Sequence, residues 1–358
     1  MDRPIRFGLI GGGWRAEFFT RVARELPERF ELAGVMQRNA EKAAAFARKW
    51  NTRSCDTLAA LAGLEPDFVV VSVNAAAHPD YARELHRLSL PVLCETPAAL
   101  DLPAMLAIWR LVENGLRIHV AEQYLYQPLH AARLALVAEG KLGRVSSARV
   151  SAAHGYHGVS LMRKYLGIGF EDAAIRARTF AAPLFEGPSR AGPPGAEKIV
   201  QSTQLLGEFD FGDRLGLFDF TDMQYWSYVR SHRVVIRGER GEIADREVRY
   251  LKDFRTSVLQ ELRRVDRGQF GDLEGFYHQG IRVGDGYAFR NPWPRARLMD
   301  DEIAIASVLE KMGAFAGGTG DGPYPFAEAA QDQYLSLQMS EAAATGAAVT
   351  TTRQPWAA

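Results

Sequence analysis

The chain has 358 residues, of which 24% are charged, and its 43 basic and 43 acidic side chains give a formal net charge of zero. This balance lacks the clustered basic excess that nucleic-acid binding requires, and no apolar run approaches the roughly 18 residues of a membrane span. The two cysteines, Cys55 and Cys94, stand far apart and outside any metal-binding spacing, which predicts free thiols in a reducing compartment. The first predicted strand begins at once and leaves no room for a signal peptide, so we expect a cytoplasmic protein. The length favours two domains.

A glycine-rich turn follows the first predicted strand. Residues 7–10 are apolar and run directly into three glycines, after which apolar side chains recur at helical spacing. Gly11, Gly13 and Ala16 form the pattern G-x-G-x-x-A between a strand and a helix. In such a turn the first glycine permits the bend, the second lets the backbone approach a pyrophosphate, and the helix amides face the phosphates. The stretch therefore predicts dinucleotide binding.

The end of the second predicted strand, Phe30–Met36, bears on the choice of cofactor. Dinucleotide-binding domains usually place an acid there for the adenosine ribose, but Gln37 occupies this position and Arg38 follows it. A guanidinium suits a 2′-phosphate, which slightly favours NADP over NAD, although Arg38 could instead stack on adenine or face water. Trp14 and Arg15 are expected beside the pyrophosphate, and Trp14 could equally cover the edge of the domain.

Strands and helices alternate through the first third of the chain. Further strands are predicted over residues 67–73, 91–94 and 116–121, and helices over 40–50, 78–88 and 101–114. This alternation predicts an α/β domain with a doubly wound parallel sheet over residues 1–122, binding the dinucleotide in a Rossmann fold. The pattern then changes, with strands predicted over 144–153, 205–211, 214–220 and 234–237. Helices are predicted over 129–139, 300–313 and 326–345, and a further helix follows residues 154–157 and ends at residue 166. We expect residues 123–358 to form an α+β domain on a large, mostly antiparallel open sheet, and the last helix could pack back on the first domain.

Several short motifs occur in order along the chain. They are the G-x-G-x-x-A turn, Val73-Asn74 with His78, Glu95-Thr96-Pro97 after a strand, Ala121-Glu122-Gln123-Tyr124, and the glycine-containing runs 140–145 and 238–243. Together they resemble the glucose–fructose oxidoreductase/inositol dehydrogenase (Gfo/Idh/MocA) family over nearly the whole chain. The resemblance implies a Rossmann domain, a second domain with a large antiparallel sheet, a nicotinamide cofactor, sugar or cyclitol substrates, and homodimers or homotetramers packed through the sheet.

The resemblance also implies positions for the site residues. Glu95 and Pro97 are expected to shape the loop at the nicotinamide, with Asn74 and His78 near the cofactor. The expected substrate-binding residues are Gln123, Tyr124 and His154, of which Tyr124 could equally be a core tyrosine.

The chain departs from the family pattern at Thr96. The family has a lysine between the glutamate and the proline, beside the nicotinamide and the reacting hydroxyl. A threonine hydroxyl can hold a substrate oxygen but is too weak an acid or base near neutrality to replace that lysine. General acid–base catalysis commonly contributes about 10²–10⁴-fold, so Thr96 is expected at the catalytic centre while another group handles the proton.

The segment from His154 to Lys164 supplies candidates for that group. It matches a family pattern G-x-H-x-x-D, with His157 at the histidine and Ser160 where the family has its acid. A histidine at a helix start is kept neutral by the helix dipole, so His157 is expected to act on the hydroxyl proton. Tyr156 or Lys164 could assist, although Tyr156 could be a core residue and Lys164 a solvated one. His154 and His157 form H-x-x-H, but no carboxylate or cysteine accompanies them and no metal is expected.

The sequence therefore predicts an NAD(P)-dependent oxidoreductase acting on a secondary alcohol or ketone of a sugar, cyclitol or related polyol. Two alternatives remain open. One is a redox-neutral elimination or epimerisation on a glycoside. The other is a cofactor-binding regulator without turnover, which both Thr96 and Ser160 favour.

Overall fold

The structure, a computed structural model, describes residues 3–357. The chain divides into two compact units. The first comprises the described residues up to His130 with Arg264–Gly280 and Arg290–Ala330, and the second comprises Ala131–Arg263, Ile281–Phe289 and the described residues from Gln331. The described part of the predicted domain 1–122 lies within the first unit, which also includes two stretches from much later in the chain.

Six strands form the parallel sheet of the first unit. They are β1 (Ile5–Ile10), β2 (Phe30–Met36), β3 (Ser54–Cys55), β4 (Phe68–Val71), β5 (Val92–Cys94) and β6 (Ile118–Val120). Every neighbouring pair is parallel, and the order is β3-β2-β1-β4-β5-β6. The predicted doubly wound parallel sheet is confirmed, and β3 is a short addition that the sequence did not indicate. The order reverses between β1 and β4, which is where such sheets bind ligands at the carboxyl ends of their strands.

Helices accompany these strands, and all of them except the short α3 follow the order that the alternation predicted. They are α1 (Trp14–Glu25), α2 (Ala40–Trp50), α3 (Leu58–Ala62), α4 (His78–Arg87) and α5 (Leu102–Glu113). Phe7 and every residue of β4 are at most 1% exposed, as expected for strands of a parallel sheet covered on both faces. Within residues 3–357, no helix combines the length and the apolar character that crossing a membrane demands.

The second unit contains a nine-stranded sheet. Its helices and strands begin with α6 (Pro128–Ala138), β7 (Val145–Ser151), α7 (Gly155–Leu166), β8 (Ala174–Phe185), β9 (Ile199–Asp210), β10 (Leu215–Thr221), β11 (Arg233–Gly238), β12 (Gly241–Ala244), β13 (Glu247–Leu251) and β14 (Ser257–Glu261). The elements that follow along the chain are β15 (Arg263–Arg267), β16 (Tyr277–Val283), β17 (Gly286–Arg290), α8 (Asp300–Ala316), α9 (Phe326–Thr345) and β18 (Val349–Thr350). Of these, α8 lies wholly in the first unit. The large sheet has the order β14-β13-β12-β11-β7-β10-β9-β8-β18, and β15, β16 and β17 form a separate small sheet.

The large sheet is mostly antiparallel, as expected. Strands β7 and β10 are parallel, and every other neighbouring pair is antiparallel. Helix α7 packs on β7 and β10. The predicted hairpin around residues 212–213 is confirmed as β9 and β10, but β9 starts six residues earlier than the predicted 205 because it is paired with β8 from Ile199 onward. Strand β8 was missed because its side chains show no alternation and it contains Pro183.

Both cysteines are free and buried. Burial raises the pKa of the Cys94 thiol well above its usual value, and the neighbouring Glu95 carboxylate raises it further. Burial also raises the pKa of Cys55, with a smaller contribution from Asp56. Both thiols are therefore held in the neutral form in which a cysteine is unreactive.

Candidate active site

A cleft of about 670 Å³ opens at the carboxyl ends of the parallel strands in the first unit. The turn after β1, the ends of β2 and β4, the start of α4 and the loop after β5 line it. The expected site residues in its lining are Gly11, Gly13, Trp14, Arg15, Gln37, Arg38, Asn74, Glu95 and Thr96. Sequence reasoning missed further lining residues, among them Asn39, Lys42, Asp80 and Tyr81.

Gly11 and Gly13 have different roles in the turn after β1. Gly11 has a φ of +117°, and a Cβ built on it would stand 2.0 Å from the carbonyl oxygen of Ser72. Gly13 has a φ of −76°, which any residue can adopt, and its Cβ position meets no heavy atom of the described residues within 4 Å. The fold thus requires glycine at Gly11, whereas Gly13 leaves open space that a ligand can occupy.

The first turn of α1 borders this open space. Gly13 is the N-cap of the 12-residue helix and provides no side-chain hydrogen bond to the first-turn amides. Ala16 is fully buried, so the helix sits close to the sheet. Amides at the positive end of a helix dipole favour an anion, and this end of α1 suits a pyrophosphate.

Gln37 lies against the same turn. A Cβ on Gly12 would stand 2.2 Å from Gln37 Nε2, so the carboxamide covers the glycine backbone. Nε2 is buried and has no hydrogen-bond partner among the described residues. An orphaned N–H donor beside an open glycine and a helix N-terminus fits a dinucleotide, whose phosphate and ribose oxygens accept hydrogen bonds.

Two cations stand at the end of β2, where an acid would bind the adenosine ribose. Arg38 and Lys42 are both exposed and both line the cleft. Asn39 caps α2 between them, since its Oδ1 accepts a hydrogen bond of 2.8 Å from the Lys42 amide. Lys42 was not predicted, although the helix predicted over 40–50 already places it in the first turn of α2.

A buried ion pair holds the loop after β5. Arg15 Nε donates to Glu95 Oε1 at 2.9 Å, and Glu95 Oε2 accepts from the Thr96 amide at 3.0 Å. Burial lowers the pKa of Arg15, but Glu95 and Asp301 raise it more, so the net pKa is raised and the guanidinium stays charged. Glu95 therefore fixes the Thr96 amide in the loop that lines the cleft.

His78 supports the same loop from the start of α4. Its side chain is nearly buried, and its two ring nitrogens lie 3.1 Å from the carbonyl oxygen of Pro97 and 3.2 Å from that of Val73. Burial lowers the pKa of His78, which leaves a neutral ring. His78 and Pro97 thus act on the cleft through the backbone of neighbouring residues. Asn74 holds the preceding turn, since its Oδ1 accepts from the Ala76 amide at 3.0 Å.

Glu122, in the motif after β6, is fully buried. Burial raises the pKa of its carboxyl well above the usual value, the Tyr124 amide that donates to Oε1 at 3.0 Å lowers it, and Glu95 raises it again. Burial therefore favours the protonated form of the Glu122 carboxyl. The neighbouring Gln123 is 5% exposed, and its Oε1 has no hydrogen-bond partner among the described residues, which leaves an acceptor available.

The expected proton-transfer residues meet at one end of α7 in the second unit. His154 is the N-cap of α7, and Tyr156 and His157 lie in its first turn. The ring of His157 lies 5.2 Å from that of His154 and 5.2 Å from that of Tyr156, measured between centroids. Tyr156 and His157 are buried, whereas His154 keeps an exposed face. The structure therefore brings these three residues together.

Ser160 and Lys164 lie further along α7. Ser160, in place of the family's acid, is fully buried. Lys164 is half-buried and stands two turns beyond His157, about 10 Å along the helix axis. A lysine at this separation reaches the region of His157 only if its side chain extends towards it, so its assisting role stays a prediction.

Tyr225 was missed as a neighbour of this group. Its hydroxyl lies 2.6 Å from His154 Nδ1 and accepts a 3.0 Å hydrogen bond from the His154 amide. Burial and then the charge of His157 lower the pKa of His154 to about 4, so His154 is neutral at physiological pH. Among residues 3–357, no cluster of three or more histidine, cysteine, aspartate or glutamate side chains is arranged to hold a metal ion.

The sequence of the first unit matches a known family. Residues 5–122 fit the Gfo/Idh/MocA family, described as an oxidoreductase family with an NAD-binding Rossmann fold. The match covers residues 5–122, so this domain is similar to the Gfo/Idh/MocA oxidoreductases. A myo-inositol dehydrogenase, Hyg17 of Streptomyces leeuwenhoekii, is 35% identical over 85 residues, which are 24% of this chain and 26% of that protein.

Solved structures share the fold over nearly the whole length of this chain. A levoglucosan dehydrogenase in complex with NADH and levoglucosan matches with a TM-score of 0.69 and 17% identity, over 98% of this chain and 100% of that chain. An oxidoreductase from Agrobacterium radiobacter in complex with NAD+, L-tartaric acid and magnesium matches with a TM-score of 0.68 and 17% identity, over 96% and 98%. These likenesses extend the shared fold beyond residues 5–122.

The two glycines of the turn should respond differently to substitution. Gly13→Val should abolish nucleotide binding while leaving the melting temperature nearly unchanged, because the new side chain enters the open space, where a Cβ lies more than 4 Å from the surrounding heavy atoms. Gly11→Ala should lower the melting temperature, because its Cβ collides with the Ser72 carbonyl. Calorimetric titration with NAD and NADP beside a thermal melt would check both. Normal binding by Gly13→Val would refute the placement of the pyrophosphate.

Glu122 should make the stability of the protein depend on pH. Its raised folded-state pKa means that the unfolded chain loses this proton above about pH 4.3 while the folded chain keeps it, so stability falls by about 1.4 kcal/mol per pH unit until the folded pKa is passed. Glu122→Gln removes this loss. The free energy of unfolding of the Glu122→Gln variant should therefore increase relative to that of the natural protein as pH rises from 4 to 7. The two free energies should agree near pH 4. Urea unfolding across this range measures the difference, with Glu139→Gln on an exposed carboxyl as the control. A pH-independent difference would contradict the assignment of the buried proton.

Proposed function

We propose that this protein is an NAD(P)-dependent oxidoreductase that moves hydride between the nicotinamide and a secondary alcohol or ketone of a sugar, cyclitol or related polyol. The observation that carries the proposal is the cleft in the family-matched domain, where an open glycine, a helix N-terminus and an orphaned amide donor converge. The substrate class is supported by the relatives named as dehydrogenases of myo-inositol and levoglucosan.

The chain's own groups would hold the cofactor at two places. The turn from Gly11 to Gly13 and the first amides of α1 would bind the pyrophosphate, with Trp14 and Arg15 beside it. Arg38 and Lys42 would bind a 2′-phosphate, which favours NADP over NAD. When bound, the nicotinamide would accept or supply the hydride.

Thr96 would hold a substrate oxygen in this cleft. The Arg15–Glu95 pair fixes the Thr96 amide, so the hydroxyl is carried by an ordered backbone. The hydroxyl cannot serve as a base near neutrality. Gln123 and Tyr124 would contribute further hydrogen bonds to the substrate.

His157 would take up or return the hydroxyl proton. It lies in the first turn of α7, where the helix dipole disfavours an imidazolium. Tyr156 and Lys164 would assist, and His154 would bind a substrate oxygen. The proton chemistry that the family assigns to a lysine would thus be carried by this segment of the second unit.

The protein is further proposed to form homodimers or homotetramers through the large sheet. Strands β8 and β9 expose large apolar side chains, with Phe180 53% and Ile199 68% exposed. Apolar side chains at such exposure on a sheet face support association with a second copy.

Cofactor preference should depend on Arg38. Arg38→Ala should weaken NADP binding roughly 10- to 150-fold, the range that a charge-assisted hydrogen bond of about 1.5–3 kcal/mol implies, and should leave NAD binding nearly unchanged. Lys42→Ala should act in the same direction. Arg48→Ala, an exposed arginine at the other end of α2, is the matched control. Equal losses for both cofactors would indicate that Arg38 stacks on the adenine instead.

Turnover should depend on His157. His157→Ala should lower kcat by about 10²–10⁴-fold, because general acid–base help is lost, while cofactor affinity stays the same. The pH–rate profile should also lose the ionisation that a histidine gives near neutrality. His86→Ala, a histidine on α4, controls for the loss of an imidazole. Full activity with an unchanged profile in His157→Ala would rule out this role and leave Lys164, His154 and Tyr156 to be tested.

A further inference from the structure

Tyr225 makes two contacts with a single residue of the α7 segment. It lies in a 3₁₀ helix, Gln224–Trp226, shortly after β10. Its hydroxyl oxygen accepts from the His154 amide at 3.0 Å and lies 2.6 Å from Nδ1 of the same residue. The two rings meet edge to face with centroids 5.6 Å apart. Tyr225 therefore fixes both the backbone and the ring of His154.

The position of Tyr225 is itself held by the buried side chain before it. Gln224 is 4% exposed, and its Nε2 donates to the carbonyl oxygens of Ser151 at 2.7 Å and Ser231 at 2.9 Å. Its Oε1 accepts from the Thr221 amide at 3.1 Å. These hydrogen bonds fix the 3₁₀ helix against the ends of β7 and β10, so the Tyr225 hydroxyl has a defined position.

In the contact between the Tyr225 hydroxyl and His154 Nδ1, the tautomer of His154 decides which atom is the donor. The backbone N–H occupies one acceptor site of the hydroxyl oxygen, and the hydroxyl has one hydrogen of its own. With Nδ1 at 2.6 Å, that hydrogen has a strong acceptor at hydrogen-bond distance. If it is donated to Nδ1, the neutral ring must carry its own proton on Nε2.

We propose that Tyr225 is a positioning residue that holds His154 as the Nε2–H tautomer, so that His154 offers the substrate a hydrogen-bond donor and not a base. The role toward substrate rests on the proposed function, whereas the tautomer does not. An N–H aimed at the reacting oxygen stabilises the negative charge that develops there. His154 would then donate a hydrogen bond to the reacting oxygen, and His157 would accept the proton.

The tautomer can be read directly by NMR on the full chain labelled with ¹⁵N-histidine. Long-range ¹H–¹⁵N correlations distinguish a protonated from an unprotonated ring nitrogen, and His154→Gln identifies the signals. We expect unprotonated Nδ1 and protonated Nε2 for His154 at neutral pH. Tyr225→Phe should shift the Nδ1 signal and mix the tautomers, whereas Tyr228→Phe, a 65% exposed tyrosine in the same segment, should change neither.

Kinetics tests the role of this tautomer. Tyr225→Phe should lower kcat/KM roughly two- to tenfold, the effect of one hydrogen bond, with nucleotide affinity unchanged and the pH profile still set by His157. A protonated Nδ1 in the natural protein, or signals that Tyr225→Phe leaves unchanged, would overturn the proposal. Failure of the proposed function would instead appear as no turnover by the natural protein on any polyol or sugar, an outcome that the NMR result does not depend on.

Discussion

The close approach of the turn after β1 to the end of β4 is the constraint on which the cofactor cleft depends. A Cβ at Gly11 would stand 2.0 Å from the Ser72 oxygen, so only glycine allows the two segments to meet. Their contact sets the start of α1 beside the carboxyl ends of the strands, where its dipole and free amides favour an anion. The position of the glycines thus decides both the fold of this region and its capacity to bind a dinucleotide.

Charge buried next to this turn gives the cleft its order. The side chains of Arg15 and Glu95 are 15% and 7% exposed, and either alone would be costly because a desolvated charge needs a partner. Paired, they join α1 to the loop after β5, and Glu95 uses its second oxygen for the Thr96 amide. Burial raises the pKa of Glu122, which favours its neutral form and so avoids a further buried charge. Thr96, where the family pattern has a lysine, is therefore a neutral hydroxyl on a fixed backbone.

Sequence reasoning succeeded where the signal is local. The glycine turn, the parallel strands and helix α9 at Phe326–Thr345 follow from spacing within a short window. Strand β8 does not, because it exists through twelve residues of pairing with β9 and carries no alternation of its own. The same distinction applies to the site. Arg38 could be predicted from its place after β2, but Tyr225 is 71 residues from His154, and the proton on Glu122 depends on burial that only the fold creates.

The central claim, hydride transfer between a nicotinamide and a polyol carbon, has one most direct measurement. The full chain is incubated with NAD+ or NADP+ and a panel of sugars, cyclitols and glycosides deuterated at their CH–OH carbons. Reduced cofactor is quantified by absorbance, and its deuterium content by mass spectrometry. The account predicts one deuterium on the nicotinamide for each ketone formed. Consumption of a glycoside with no accumulation of reduced cofactor would show redox-neutral chemistry instead, and bound nucleotide without turnover on any member of the panel would show a regulator.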